Sequence, residues 1–190
     1  RYKALCFLIL FGSPIFASSL TISVDGEAKG EIKIDLFEEV APLHVTQILN
    51  LAEAGLYNNV VFHRVIDGFM AQTGDVEYGK AGSDTSLAGR GGSELPNIPG
   101  EFSDIDFDRG VVGMARARSP DSANSQFFIM FEAGYFLNGQ YTVIGKVTSG
   151  MEIVDKIKRG EGPNGSVLGE PDKMVSVVAV SYTHLTLPTT

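Results

Sequence analysis

Two stretches hold the residues best suited to chemistry. One is Phe62-His63-Arg64-Val65-Ile66-Asp67-Gly68-Phe69-Met70-Ala71-Gln72-Thr73-Gly74-Asp75; the other is Gln126-Phe127-Phe128-Ile129-Met130. An isolated arginine is ordinarily a surface residue whose stem lies along apolar neighbours. Arg64 has company that changes this reading: Phe69, Met70 and Gln72 follow it closely, and the second stretch repeats the mixture. Together they describe a rigid, planar donor fork held over an apolar pocket. Other chemistries are poorly supplied. His44, His63 and His184 form no pair with metal-ligand spacing. Ser93, Ser122 and Ser125 lack the context of a nucleophile elbow. Gly89, Gly91 and Gly92 do not follow a strand as a phosphate-binding loop must.

The elements that position these groups can be read in outline. Val60 to Ile66 is β-branched and aromatic, Asp67-Gly68 is a turn signal, and Phe69 to Thr73 resumes as a second strand. Alternation predicts Arg64 on one face with Phe62 and Ile66, and His63 on the other as a structural histidine. Upstream, Leu20–Val24 and Glu31–Leu36 form a predicted hairpin. Pro42 suits the first turn of a helix carrying Val45, Ile48, Leu49 and Ala52 on one face, closed by Gly55. Tyr78 to Gly100 has no period and many Gly, Ser and Pro residues; ordered loops of this length tend to be functional. Strands are expected over 110–115, 125–131, 141–147 and 174–180, with a short helix over 150–158 and a loop over 160–171. About eight strands, two helices and no internal repeat place the chain among all-β or α+β domains.

Composition sets the outer limits. The 190 residues suffice for one domain with a sizeable core, and hydrophobic residues at 44% against charged residues at 20% fall in the ordinary globular range. A net charge of −8 argues against a nucleic-acid or anionic-membrane footprint. Arg1-Tyr2-Lys3, the apolar run Ala4–Phe11 and the small residues Ala17-Ser18-Ser19 have the layout of a secretory leader over residues 1–19. Its apolar run is shorter than the ~20 residues a membrane-spanning helix needs. Removing Arg1 and Lys3 with the leader takes the net charge from −8 to −10, and also removes Cys6, the only cysteine. The mature protein is expected to be periplasmic or secreted, without stable membrane insertion. Residues 181–190, SYTHLTLPTT, add no core face and are expected to be a non-native or disordered tail.

The first stretch resembles the signature of the cyclophilins, the peptidyl-prolyl cis-trans isomerases, and specifically the bacterial secreted type. So do Gly113-Met114-Ala115-Arg116-Ala117 with Asn124-Ser125-Gln126-Phe127-Phe128-Ile129, and Phe136-Leu137-Asn138-Gly139-Gln140-Tyr141 with Val143-Ile144-Gly145-Lys146-Val147. The resemblance runs from about Leu20 to about Val180. It implies a mainly β domain over 20–180: a closed, eight-stranded antiparallel barrel capped by two α-helices. It implies rotation of X-Pro bonds in polypeptides, in aid of folding, by a monomer that needs no metal or cofactor and whose partners are proline-containing chains.

Carried over by position, the resemblance makes Arg64 the donor to the proline nitrogen. Gln72 orients Arg64 and bonds the substrate backbone, and Gln126 does likewise from the next strand. Phe69, Met70, Phe128 and Leu137 form the proline pocket. Ala115, Arg116 and Ala117 line the groove for the residues preceding proline, and Phe136 and Tyr141 stand at its edge. Three positions depart from the family pattern. Phe136 replaces a tryptophan whose indole N–H is associated with cyclosporin binding, Arg116 replaces an asparagine, and Tyr141 replaces a histidine. An alternative function is a proline-peptide-binding or chaperone module on the same fold; such a module has no need of Arg64, so its presence with Gln72 and Phe128 favours the enzyme.

Overall fold

The structure, a computed structural model, describes residues 15–184. Most of the expected leader, residues 1–14, and the last six residues lie outside that range. The elements run β1 (Ile15–Asp25), β2 (Gly30–Leu36), α1 (Pro42–Glu53), β3 (Val60–Val61), β4 (Arg64–Ile66), β5 (Met70–Thr73), β6 (Val111–Met114), β7 (Phe127–Met130), β8 (Val143–Ser149), α2 (Met151–Val154) and β9 (Lys173–His184). Single helical turns of the 3₁₀ type occupy Tyr135–Leu137 and Pro163–Gly165.

The strands join in one antiparallel sheet of nine, ordered β3-β9-β1-β2-β8-β6-β7-β5-β4 and curled into a half-barrel. The count is one more than the expected eight. The extra strand arises because Val60 to Ile66 is not continuous. Phe62 and His63 leave the ladder: the Phe62 amide donates to the Asp172 carbonyl, and the His63 carbonyl accepts from Val167. The two pieces then pair differently, β3 with β9 and β4 with β5. The break also undoes the predicted alternation. Phe62 is fully buried in the main core rather than sharing a face with Arg64.

Only the first four residues of the expected tail are described. Residues 181–184 continue β9, opposite residues 15–18 of β1. Helix α2 covers four residues instead of the predicted nine. Val154 at its end and Ile157 beyond it still face the core, while Asp172 accepts the Lys158 amide through Oδ2 at 2.7 Å. Helix α1 has Pro in its first turn but no side-chain cap of its own. Glu101, from the far end of the long loop, supplies one: its carboxylate accepts the Leu43 and His44 amides, each at 3.0 Å. Among the described residues no helix is long and apolar enough to cross a membrane.

Two apolar clusters lie on opposite faces of the sheet, and strand periodicity separates them. On β7, Phe127 and Ile129 enter the main core, whereas Phe128 and Met130 enter the second cluster. On β5, Ala71 goes to the main core and Met70 to the second; on β4, Val65 and Ile66 divide the same way. Arg64 and Gln72 fall on the face of the second cluster, which is where the site forms.

Candidate active site

Register builds the site. Arg64 lies opposite Gln72, Gln72 opposite Phe128, and Phe128 opposite Gly113. One row across four strands therefore runs from a guanidinium, through an amide and an aromatic ring, to a residue without a side chain. Gly113 is required there. A Cβ on it would fall 2.6 Å from both Phe107 and Phe128, so glycine alone lets those rings stack, with centroids 5.8 Å apart and planes 22° from parallel.

A relay of hydrogen bonds fixes the polar end. Gln126 donates through Nε2 to the Gly91 carbonyl at 2.8 Å, and its Oε1 accepts from Gln72 Nε2 at 2.9 Å. Gln72 Oε1 then accepts from Arg64 Nη1 at 3.0 Å. From the other side Arg64 donates Nε to the Asn164 carbonyl at 2.9 Å and Nη2 to Asn164 Oδ1 at 3.1 Å. A guanidinium has five N–H groups, so three are committed and two stay available. All three acceptors are neutral, which keeps the charge of Arg64 unspent. Burial pushes its pKa below the usual arginine value and the Tyr141 hydroxyl pulls it back; the group stays a cation.

The apolar end is a hollow of about 660 Å³. Met70, Phe128 and Leu137 are buried in its floor. Phe69 forms a wall, with Phe136 leaning on it at a ring-centroid distance of 5.4 Å yet still 67% exposed. Tyr141 stands edge-on to Phe128, and the Arg116 guanidinium lies 4.4 Å above the Tyr141 ring. Arg116 also acts through its side chain. Its side chain folds back and donates to the carbonyls of Gln140, Ala117 and Arg118. Ala115 also lines this hollow, whereas Ala117 and Gln126 line a second, smaller one that adjoins it through Gln72, Gly89, Arg90, Ala115 and Arg116. The structure thus brings every residue singled out from the sequence to one of two neighbouring hollows.

It also adds residues that sequence reasoning missed. Asn164 sits in the turn Pro163–Gly165 with φ of 55°. Asn tolerates the left-handed region better than most residues. The Asn-Gly pair is a turn signal, but nothing local announces a contact with Arg64, 100 residues away. The loop after β5 is pinned by Asp75, whose two carboxylate oxygens accept the amides of Glu77, Tyr78, Gly89 and Gly91. That carboxylate sets Ser86, Ala88, Gly89 and Arg90 against the hollow. His63 is corrected too. It lines the same hollow as Arg64, is buried, and among the described residues neither ring nitrogen has a partner. Burial lowers its pKa to about 4; Asp75 opposes that shift and Arg64 adds to it. No cluster of three or more His, Cys, Asp or Glu is placed to hold a metal among the described residues.

Comparison with known proteins gives a consistent result. The family model described as cyclophilin type peptidyl-prolyl cis-trans isomerase/CLD matches residues 19–180. A probable peptidyl-prolyl cis-trans isomerase of Brucella suis is 55% identical over 148 residues, 77% of this chain and 76% of the relative. A peptidyl-prolyl cis-trans isomerase of Helicobacter pylori is 40% identical over 138 residues, 70% and 77% of the two chains. The crystal structure of a cyclophilin-type isomerase from Cryptosporidium parvum superposes with a TM-score of 0.71 at 25% identity, covering 90% of this chain and 99% of that one. A second structure of that protein, determined in the presence of the dipeptide Ala-Pro, has a TM-score of 0.70 at 26% identity, covering 84% and 97%.

Proposed function

The chain belongs to the cyclophilin-type peptidyl-prolyl cis-trans isomerases, and we propose that it turns X-Pro bonds by means of a donor fork that acts only on the twisted amide. Planar amides resist rotation because conjugation puts ~18–20 kcal/mol in the way. At the barrier that conjugation is lost and the proline nitrogen regains a lone pair. Two features of the site favour this state. The floor of Met70, Phe128 and Leu137 is apolar and buried, which suits the less polar twisted amide. The two free N–H groups of Arg64 supply a donor for the lone pair. Neither step uses a nucleophile or moves a proton.

The observation that carries this reading is the way Arg64 is held: anchored on two sides by neutral acceptors beside an apolar floor. A binding module gains nothing from such a fixture. The substrate is a proline-containing polypeptide, its ring over Phe128 and the preceding residues along Ala115–Ala117. A protease-coupled assay on a proline peptide tests the activity. A folded protein that leaves the uncatalysed rate unchanged supports the binding module instead.

The chain acts outside the cytoplasm, after removal of residues 1–19. The basic start, short apolar run and small residues at the cut support this, and the family match begins at residue 19 and ends at residue 180, which are partners across β1 and β9. Sequencing the mature N-terminus should find it between Ser18 and Leu20 in a periplasmic or secreted fraction. Arg1–Ala17 intact on a cytoplasmic protein would overturn the assignment.

A further inference from the structure

The arginines among the described residues divide into two kinds. Away from the site, Arg109 pairs with Asp155 at 2.7 Å and Arg159 with Asp67 at 2.8 Å. At the site, Arg64, Arg90, Arg116 and Arg118 have no carboxylate within ion-pair distance among the described residues. Three of these four line the two hollows, and no Asp or Glu lines either. In a chain with 23 acidic and 15 basic side chains this is a local reversal of sign.

Three carboxylates of the surrounding loops are engaged elsewhere. Asp75 is buried, with both oxygens taken by backbone amides. Glu77 reaches back to the Gly92 amide, and Asp121 accepts from the Gly100 amide. Arg64 and Arg116 are bonded only to neutral groups, so they are fixed in place without being neutralised. Arg90 stands where the two hollows meet.

We propose that the smaller hollow, between Arg90 and Arg116, selects an anionic side chain shortly before the X-Pro bond. This rests on the reading that residues preceding proline run along Ala115–Ala117. The ligand chemistry is a carboxylate or phosphate on a polypeptide, two residues before proline. Guanidinium groups attract carboxylates and phosphates; Arg116 contributes its uncompensated charge and one uncommitted N–H, Arg90 contributes a second cation, and the acidic remainder of the surface repels anionic segments that miss the groove.

The test compares kcat/KM for peptides of the form Glu-Ala-Pro-Phe, Gln-Ala-Pro-Phe and Lys-Ala-Pro-Phe, with a phosphoserine peptide as a fourth arm. The Glu peptide should exceed the Gln peptide by roughly two- to fivefold at low ionic strength, from one or two solvent-exposed pairs. The Lys peptide should fall below both. The Glu:Gln ratio should approach one in about 0.5 M salt, where the screening length shrinks to a few ångströms. The double variant R90Q/R118Q should at least halve the ratio. Phosphoserine above Glu would mark phosphate as the preferred anion; phosphoserine at or below Glu would mark the carboxylate.

A Glu:Gln ratio near one in the unmodified protein, or one unchanged in R90Q/R118Q, overturns the proposal. The Gln peptide separates the two possible failures. Turnover of Gln without preference for Glu sinks this inference alone. Absence of turnover on Gln sinks the isomerase reading, and the relative affinities of the Glu and Gln peptides by NMR titration then still decide the charge preference.

Discussion

Replacing Arg64 with alanine separates the donor from the scaffold that holds it. The substitution orphans three acceptors: Gln72 Oε1, the Asn164 carbonyl and Asn164 Oδ1. Arg64 is only half-buried and the hollow is open, so water can reach all three, and the stability lost should be about 1 kcal/mol. The apolar floor is untouched. In the planar ground state the proline nitrogen has no lone pair to offer, so peptide affinity should change by less than about threefold. In the twisted state a charge-assisted bond is lost, worth ~2.7–4 kcal/mol by analogy with an oxyanion donor, and kcat should fall by about 10²–10³. Arg64→Lys should recover no more than about tenfold, because one flexible ammonium cannot serve acceptors on two sides and still present a donor. NMR exchange spectroscopy on a proline peptide measures isomerisation and affinity in one titration. If Arg64→Ala isomerises near the unmodified rate, or if its whole defect is lost affinity, the mechanism is wrong.

Three further outcomes are expected. Asn164→Gly keeps the positive φ but removes the acceptor for Nη2, so kcat should drop about tenfold with KM little changed; a rise in KM alone would place Asn164 in binding instead. His63 has a folded pKa of about 4 against 6.5 when free, so the unfolded chain binds its proton first. Stability is then intact above the free value and declines as pH falls toward the folded one, by about 2 kcal/mol between pH 7 and 5; urea unfolding should show this slope, and His63→Asn should flatten it. Phe136 is exposed and offers no N–H at the rim, so Phe136→Trp should tighten cyclosporin binding by about tenfold at most, one neutral hydrogen bond; calorimetric affinities that match within error would remove the indole from the explanation.

How much of this was legible depends on range. The strands Phe69–Thr73 and 125–131 were legible from residue type, and because both stay in the sheet, period two puts Gln72 and Phe128 on one face. The same argument failed at Phe62, where two backbone bonds to distant loops pull Phe62-His63 out of the ladder and reverse the side that Phe62 faces. Helix α1 was legible from its apolar stripe and Pro42, but its cap was not, since Glu101 arrives from 57 residues downstream. Asn164 and Asp75 share that difficulty. Each acts through backbone or side-chain groups of a remote loop, and a lone Asn or Asp in the sequence does not name its partner.

The choice of partners for Arg64 connects these observations. A carboxylate would hold the guanidinium more tightly than an amide does, as Asp155 holds Arg109 with two bonds of 2.7 and 2.8 Å. It would also draw off the positive potential that a lone pair, or an anionic neighbour of proline, has to meet. Gln72 and Asn164 fix direction without that loss. Each amide is itself oriented by the fold: Gln72 by Gln126, and Asn164 by the left-handed turn that lets its carbonyl and side chain face the same arginine. Gln72→Glu is therefore the informative exchange. It keeps the shape and the contact with Nη1 but adds a charge, and it places that charge against Gln126 Oε1, which has lost its donor. The row of side chains would remain, while the donor fork became half of an ion pair, and kcat should fall about tenfold or more in a protein that still binds proline peptides.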